Sequence, residues 1–211
     1  MRAELIAYIE REILPRYDRF DRAHRRDHAE LVIRESLRLA EGYEVSREMV
    51  YTIAAYHDTG LDAGRECHHL RSGEILRTDP CLRQWFNAEQ IERMAQAAED
   101  HRASRNEAPR SIYGCIVAEA DRALIPEMIL QRTVQYGLSH EPEKSREEQF
   151  ARFVEHLSVK YGEGGYLKMW LPNPAKEERL AQLRRLIADR EALRVHFDRL
   201  YQQERLKTTG A

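Results

Sequence analysis

A chain of 211 residues can bury a full hydrophobic core, so no covalent or metal staple is required for it to fold. Charged residues make up 33% of the chain but nearly cancel, leaving a formal net charge of -2 that argues against a general nucleic-acid-binding or membrane-attracted surface. Three cysteines, Cys67, Cys81 and Cys115, form no CxxC pair, the N-terminus has no apolar signal-like run, and no stretch approaches the ~18 apolar residues of a membrane span; together these predict a soluble cytoplasmic protein with free thiols.

Leu5, Ile6, Ile9 and Ile13 recur at helical spacing and predict a first helix over 3–13, ended by Pro15. Asp21 is placed to cap a second helix running to about Glu41, with His24 and His28 near its start and Gly42 after its end. Ser46 opens a third helix that delivers His57 and Asp58, with Gly60 where a helix C-terminal cap is expected. A fourth helix over 66–77 carries Cys67, His68 and His69 and is closed by Asp79-Pro80. The pattern Ile91, Met94, Ala95, Ala98 gives a fifth from Ala88 to about Arg102, with His101 in its last turn.

Pro109 fits the first turn of a sixth helix, which ends in Asp121. Further helices are expected from Pro126 to about Tyr136 and over 146–161. Gly162, Gly164 and Gly165 then form a plain loop without a phosphate-cradling pattern. From Lys176 to about Arg205 the chain reads as one long charged helix with Leu180, Leu183, Ile187, Leu193 and Phe197 on its apolar side. No alternating strand pattern is present, so the fold class is all-α.

The stretch most able to do chemistry is Tyr51 to Asp62, where an apolar helical turn ends in His57-Asp58. A buried carboxylate needs a basic partner or a cation, and the adjacent imidazole favours a metal. His28, His57, Asp58 and Asp121 are thus four candidate ligands carried by three helices, suited to divalent manganese, iron, nickel, zinc or magnesium.

The order of these residues resembles the HD superfamily of metal-dependent phosphohydrolases, which has His, His-Asp and Asp on an all-α fold. The resemblance spans about residues 20–135. It rests on His28 in Asp27-His-Ala-Glu-Leu-Val32, on His57-Asp58 in Ala-Ala-Tyr-His-Asp-Thr-Gly60, and on Asp121 in Val117-Ala-Glu-Ala-Asp121-Arg. It implies an HD-domain helical bundle over 1–140 and leaves 141–211 as a C-terminal helical extension expected on the same domain. It also implies a metal site of His28, His57, Asp58 and Asp121, in which the ion acidifies a bound water and polarises a phosphoryl oxygen.

His69 and His101 resemble the additional histidines of two-metal members, with Asp58 as a bridging carboxylate, so one ion or two can be held; His68 and His24 are expected to face solvent or support the ligands. Catalytic roles fall to Asp58 and His101, and substrate phosphate contacts to Arg102, Arg105 and Arg122, because the guanidinium fork matches phosphate. Leu61 stands where many relatives carry lysine.

The implied activity is hydrolysis of a small phosphorylated substrate: a phosphomonoester, nucleotide or phosphoanhydride. The alternatives are a di-iron HD-type oxygenase resembling myo-inositol oxygenase, and a non-catalytic module stapled by metal. The apolar face of the C-terminal helix must be covered, by the HD core in the favoured arrangement or by a second copy in a homodimer.

Overall fold

Ten α-helices and no strand are present among the described residues, so the fold is all-α, as the periodicity predicts. The computed structural model describes residues 1–20, 24–104, 107–122 and 124–209, with residues 208 and 209 as backbone only. The chain divides into two units, the first made of Met1–Ala123 with Met169–Leu171 and the second of Leu124–Lys168 with Pro172–Ala211. The division falls after 123, not near 140.

The first apolar stretch is a helical path of changing pitch. Helix α1 (Ala3–Tyr8) widens into a π turn over Ile9–Ile13 and tightens into a 3-10 segment over Leu14–Arg19. Pro15 lies in the first turn of the tightened segment, where its missing N–H costs no hydrogen bond, so it alters the pitch without ending the path. In a regular α-helix residues four apart drift by about 40° per step. The wide turn offsets part of that drift, and Leu5, Ile9, Ile13 and Tyr17 are all buried.

Helix α2 (Arg26–Ala40) starts after an extended Arg25; the cap expected at Asp21 lies outside the described residues. Its buried side runs through His28, Ala29, Val32, Ile33 and Ser36. Helix α3 (Arg47–Tyr56) is opened by Ser46, whose hydroxyl accepts from the Met49 N–H (3.4 Å), and is buried from Met49 to Tyr56. A helix apolar on every side belongs at the centre of a core. Accordingly α3 packs against α2, α4 (His68–Thr78), α5 (Ala88–Asp100) and α6 (Ile112–Asp121). Asn87 and Gln90 form a capping box at the start of α5. Helix α6 starts at Ile112, so Pro109 precedes it rather than lying in its first turn, and Ser111 caps it through the Gly114 N–H (3.3 Å). Leu171 joins this core, and the Trp170 N–H donates to Glu119 Oε2 (3.0 Å).

The second unit holds α7 (Pro126–His140), α8 (Arg146–Tyr161), α9 (Pro174–Ala188) and α10 (Arg190–Thr209). Helix α7 belongs here because Gln149 of α8 donates to the carbonyls of Gly137 (3.1 Å) and Glu141 (2.6 Å) at its C-terminal end. The single helix expected over 176–205 is two helices. Asp189 breaks it with an extended backbone, and its carboxylate accepts from the Ala192 N–H (2.9 Å) to cap the helix that follows. The apolar faces of α9 and α10 are covered within this unit, where Phe197 lies 5.2 Å from both Phe150 and Phe153, ring centre to ring centre. No helix among the described residues is long and apolar enough to cross a membrane.

Candidate metal centre

Three helix ends and two helix starts meet around Asp58. His28 comes from the first turn of α2, His57 and Asp58 follow α3, His68 opens α4, His101 follows α5, and Asp121 ends α6. The Nε2 atom of His28 is 3.2 Å from Asp121 Oδ1, 3.4 Å from His57 Nε2 and 3.7 Å from Asp58 Oδ2; His57 Nε2 is 3.3 Å from the same Asp58 oxygen and 4.0 Å from Asp121. The other Asp58 oxygen, Oδ1, faces His101 Nε2 at 3.2 Å and His68 Nε2 at 3.4 Å, and those two nitrogens are 3.2 Å apart.

The far side of each ring decides what the near side can do. His57 Nδ1 lies 2.7 Å from Ala54 O, His68 Nδ1 2.7 Å from Arg65 O, and His101 Nδ1 2.6 Å from Ala98 O. A carbonyl only accepts, so each Nδ1 carries the proton and each neutral ring presents a lone pair at Nε2. His68, His101 and Asp58 Oδ1 therefore converge as three acceptors in one group, and in the neighbouring group His57 offers its Nε2 lone pair beside Asp58 Oδ2 once the ring is deprotonated. Acceptors this close repel unless a proton or a cation stands between them, and mixed imidazole and carboxylate donors suit divalent transition metals. Two groups that could hold an ion result, His28 with His57 and Asp58, and Asp58 with His68 and His101.

Charge follows the same geometry. Burial opposes a charge on His57, but Asp58 outweighs it and raises the ring to about 9. Burial also opposes ionisation of Asp58, yet the His57 and His101 rings hold its carboxyl well below the ordinary range. Asp121 is likewise depressed against its burial, chiefly by the bond to His28. His28 is lowered by burial, and His68 is lowered to about 4, first by burial and then by the neighbouring His101 ring.

The structure thus brings together His28, His57, Asp58, Asp121 and His101 of the sequence reading. It does not bring in His69, which turns to the buried side of α4 with Ser72, Gly73 and Leu76. His68, expected to face solvent or only support the ligands, occupies the place expected for His69. The signal was in the helix register, since 69, 73 and 76 share one core-facing side and 68 lies beside it.

Gly60 also acts differently from the expected C-terminal cap. Its φ is -88°, outside the left-handed region, and a Cβ there would meet His68 O at 2.4 Å and Ser72 N at 2.6 Å. Its N–H donates to Ser72 Oγ (3.0 Å), so the bare backbone lets the start of α4 close over the turn after Asp58.

Of the arginines, Arg102 donates to the carbonyl of Glu66 and ties the end of α5 to the loop before His68, while Arg122 is buried next to Asp121. Arg105 lies outside the described residues. Arg110 is held by Asp100 and Glu99, with its backbone N–H 2.7 Å from Asp100 Oδ2 and its guanidinium 2.6 Å from Glu99 Oε2. At the rim, Arg65 reaches His24 Nε2 at 3.4 Å.

The family comparison bears on this same stretch, because residues 25–124, which carry every member of both groups, match the model of the HD domain. This part of the chain is an HD domain. No curated protein and no solved structure matches the chain significantly. The HD domain gives the His, His-Asp and Asp positions a common frame, and a metal is the group that its buried His and Asp donors fit.

Proposed function

We propose that this protein is a metal-dependent phosphohydrolase acting on a phosphomonoester, a nucleotide or a phosphoanhydride. The observation that carries the reading is the sharing of Asp58, one oxygen toward His28 and His57 and the other toward His68 and His101, inside an HD domain. His28, His57, Asp58 and Asp121 would hold a first ion, and Asp58, His68 and His101 a second. Divalent manganese, iron, nickel, zinc or magnesium supplies Lewis acidity toward a phosphoryl oxygen and acidifies bound water.

The protein's own groups supply orientation. Asp121 is the most open of the set, with its side chain 25% exposed, and His68 follows at 13%, so substrate approaches from their side. Arg122 and Arg102, next in the chain to Asp121 and His101, carry guanidinium forks that match phosphate and are assigned to the substrate. Fixed charge and planar donors at these positions stabilise a transferring phosphoryl group without reorganising during the reaction.

The test is phosphate release from a panel of nucleotides, dinucleoside polyphosphates and sugar phosphates, run with each metal. His57→Ala and Asp58→Ala should abolish turnover and metal uptake while leaving helical circular dichroism nearly unchanged. Full activity in both variants would remove the assignment. The two-group geometry also favours a second reading, a di-iron oxygenase, and about two irons per chain with oxygen consumption and no phosphate release would establish it in place of the first.

A further inference from the structure

Past Tyr56 the chain leaves α3 in a turn that carries Asp58, and the hydrogen bonds of a continuing helix are replaced there, largely by side chains. His57 Nδ1 engages Ala54 O (2.7 Å), and the Thr59 N–H donates to Tyr56 O (3.0 Å). A single phenol takes the rest: the Tyr17 hydroxyl donates to Ala55 O (2.9 Å) and accepts from the Asp58 N–H (3.3 Å). In a regular α-helix Ala55 O would receive the Thr59 N–H and the Asp58 N–H would reach Ala54 O. One hydroxyl, serving as donor and acceptor at once, therefore stands where two helical partners would be.

Tyr17 is suited to this. It is fully buried, and its ring centre lies 6.2 Å from that of His57. Burial and the nearby Asp58 charge push its pKa well above the ordinary value, so the hydroxyl keeps the proton that it donates. It is delivered by the 3-10 segment that ends the N-terminal helical path, before residue 25, and so lies outside the stretch matched by the HD domain.

We propose that Tyr17 is a positioning residue of the metal centre, capping α3 from outside the HD domain and fixing the turn that aims the two Asp58 oxygens at their two groups of histidines. The proposal rests on the metal-centre reading above. Partners that orient metal ligands typically contribute about 10- to 100-fold in affinity, so removal of the hydroxyl should be felt in binding before any turnover is measured.

The experiment compares wild type, Tyr17→Phe and Ile13→Val for Co2+ affinity by chelator competition and for the visible spectrum of the bound ion. Ile13→Val removes one buried methylene from the same helical path and no polar atom, so it controls for lost packing. Tyr17→Phe should weaken Co2+ binding by at least about tenfold and shift the cobalt bands, with Ile13→Val within about twofold of wild type. A folded Tyr17→Phe with wild-type affinity and spectrum overturns the role of Tyr17 while the metal centre stands. Wild type that binds no Co2+ removes the metal reading itself. If Tyr17→Phe does not fold, 3-fluorotyrosine at position 17 keeps the shape and weakens the oxygen as acceptor; reduced affinity supports the proposal, and unchanged affinity overturns it.

Discussion

His57 shows how one buried ring can hold a proton in the place of a cation. Its pKa is raised to about 9, so in the metal-free chain it is charged at neutral pH, whereas His28 and His68 are lowered and already neutral there. Asp58 and Asp121 are depressed and ionised. A metal must then displace the His57 proton to reach its lone pair, and affinity should rise with pH by up to about tenfold per unit until it levels off near 9. Calorimetry at pH 7.5 in buffers of different ionisation enthalpy should report about one proton released. Release of none, or affinity falling as pH rises, would contradict this. The raised pKa has a stability counterpart in the metal-free chain: its contribution is whole below the unfolded value of 6.5 and is lost as pH rises through about 9. The dipeptide itself was legible in the sequence, since an imidazole and a carboxylate closing an apolar helix need compensation. Tyr17 was not, because nothing in its local pattern says that a residue 41 positions before Asp58 meets the end of α3.

At the scale of elements, the position of His68 depends on how closely the start of α4 approaches the turn after Asp58. Gly60 permits that approach, and a methyl there would overlap the backbone of His68 and Ser72, which cannot move aside as a flexible side chain would. Gly60→Ala should therefore cost about 1–3 kcal/mol of stability through overpacking, and it should lift His68 away from Asp58 and His101. His68→Ala should weaken the second group while leaving the group around His28 in place, and His69→Ala should act as a packing change in α4. Metal stoichiometry of the three variants checks this; a loss of one ion with His69→Ala and none with His68→Ala would restore the assignment read from the sequence. Helix starts were legible wherever a side chain caps them, as with Ser46. The break at Asp189 was not, because the apolar spacing continues across it and only the backbone of one residue departs. His69 was preferred for its likeness to two-metal relatives, while its register with Gly73 and Leu76 marked it as a core residue.

Across the whole molecule, the chain completes most of its first unit by residue 123, builds four helices, and supplies residues 169–171 to the first unit partway through. The boundary near 140 was drawn where a charged turn interrupts the helical pattern, but burial, not charge, assigns α7: its Leu130, Thr133, Val134 and Gly137 are buried with the second unit. The apolar face of the C-terminal helices raised two destinations in the sequence, the HD core or a second copy, and the structure covers it with α7 and α8. Phe150, Phe153, Phe197 and Tyr201 form one aromatic cluster whose neighbouring ring centres are 5.2–6.4 Å apart. Phe197→Ala should accordingly destabilise the second unit by about 3–5 kcal/mol. Removing residues 174–211 goes further, because Phe153 loses Phe197 and α8 loses both α9 and α10, and helices of mixed charge draw most of their stability from such packing. The truncated chain retains residues 169–171 and every histidine and aspartate of the metal centre. Light scattering should show it aggregating where the full chain does not, and a well-folded, soluble truncated chain with full metal content would mean that α7 and α8 need no cover from α9 and α10.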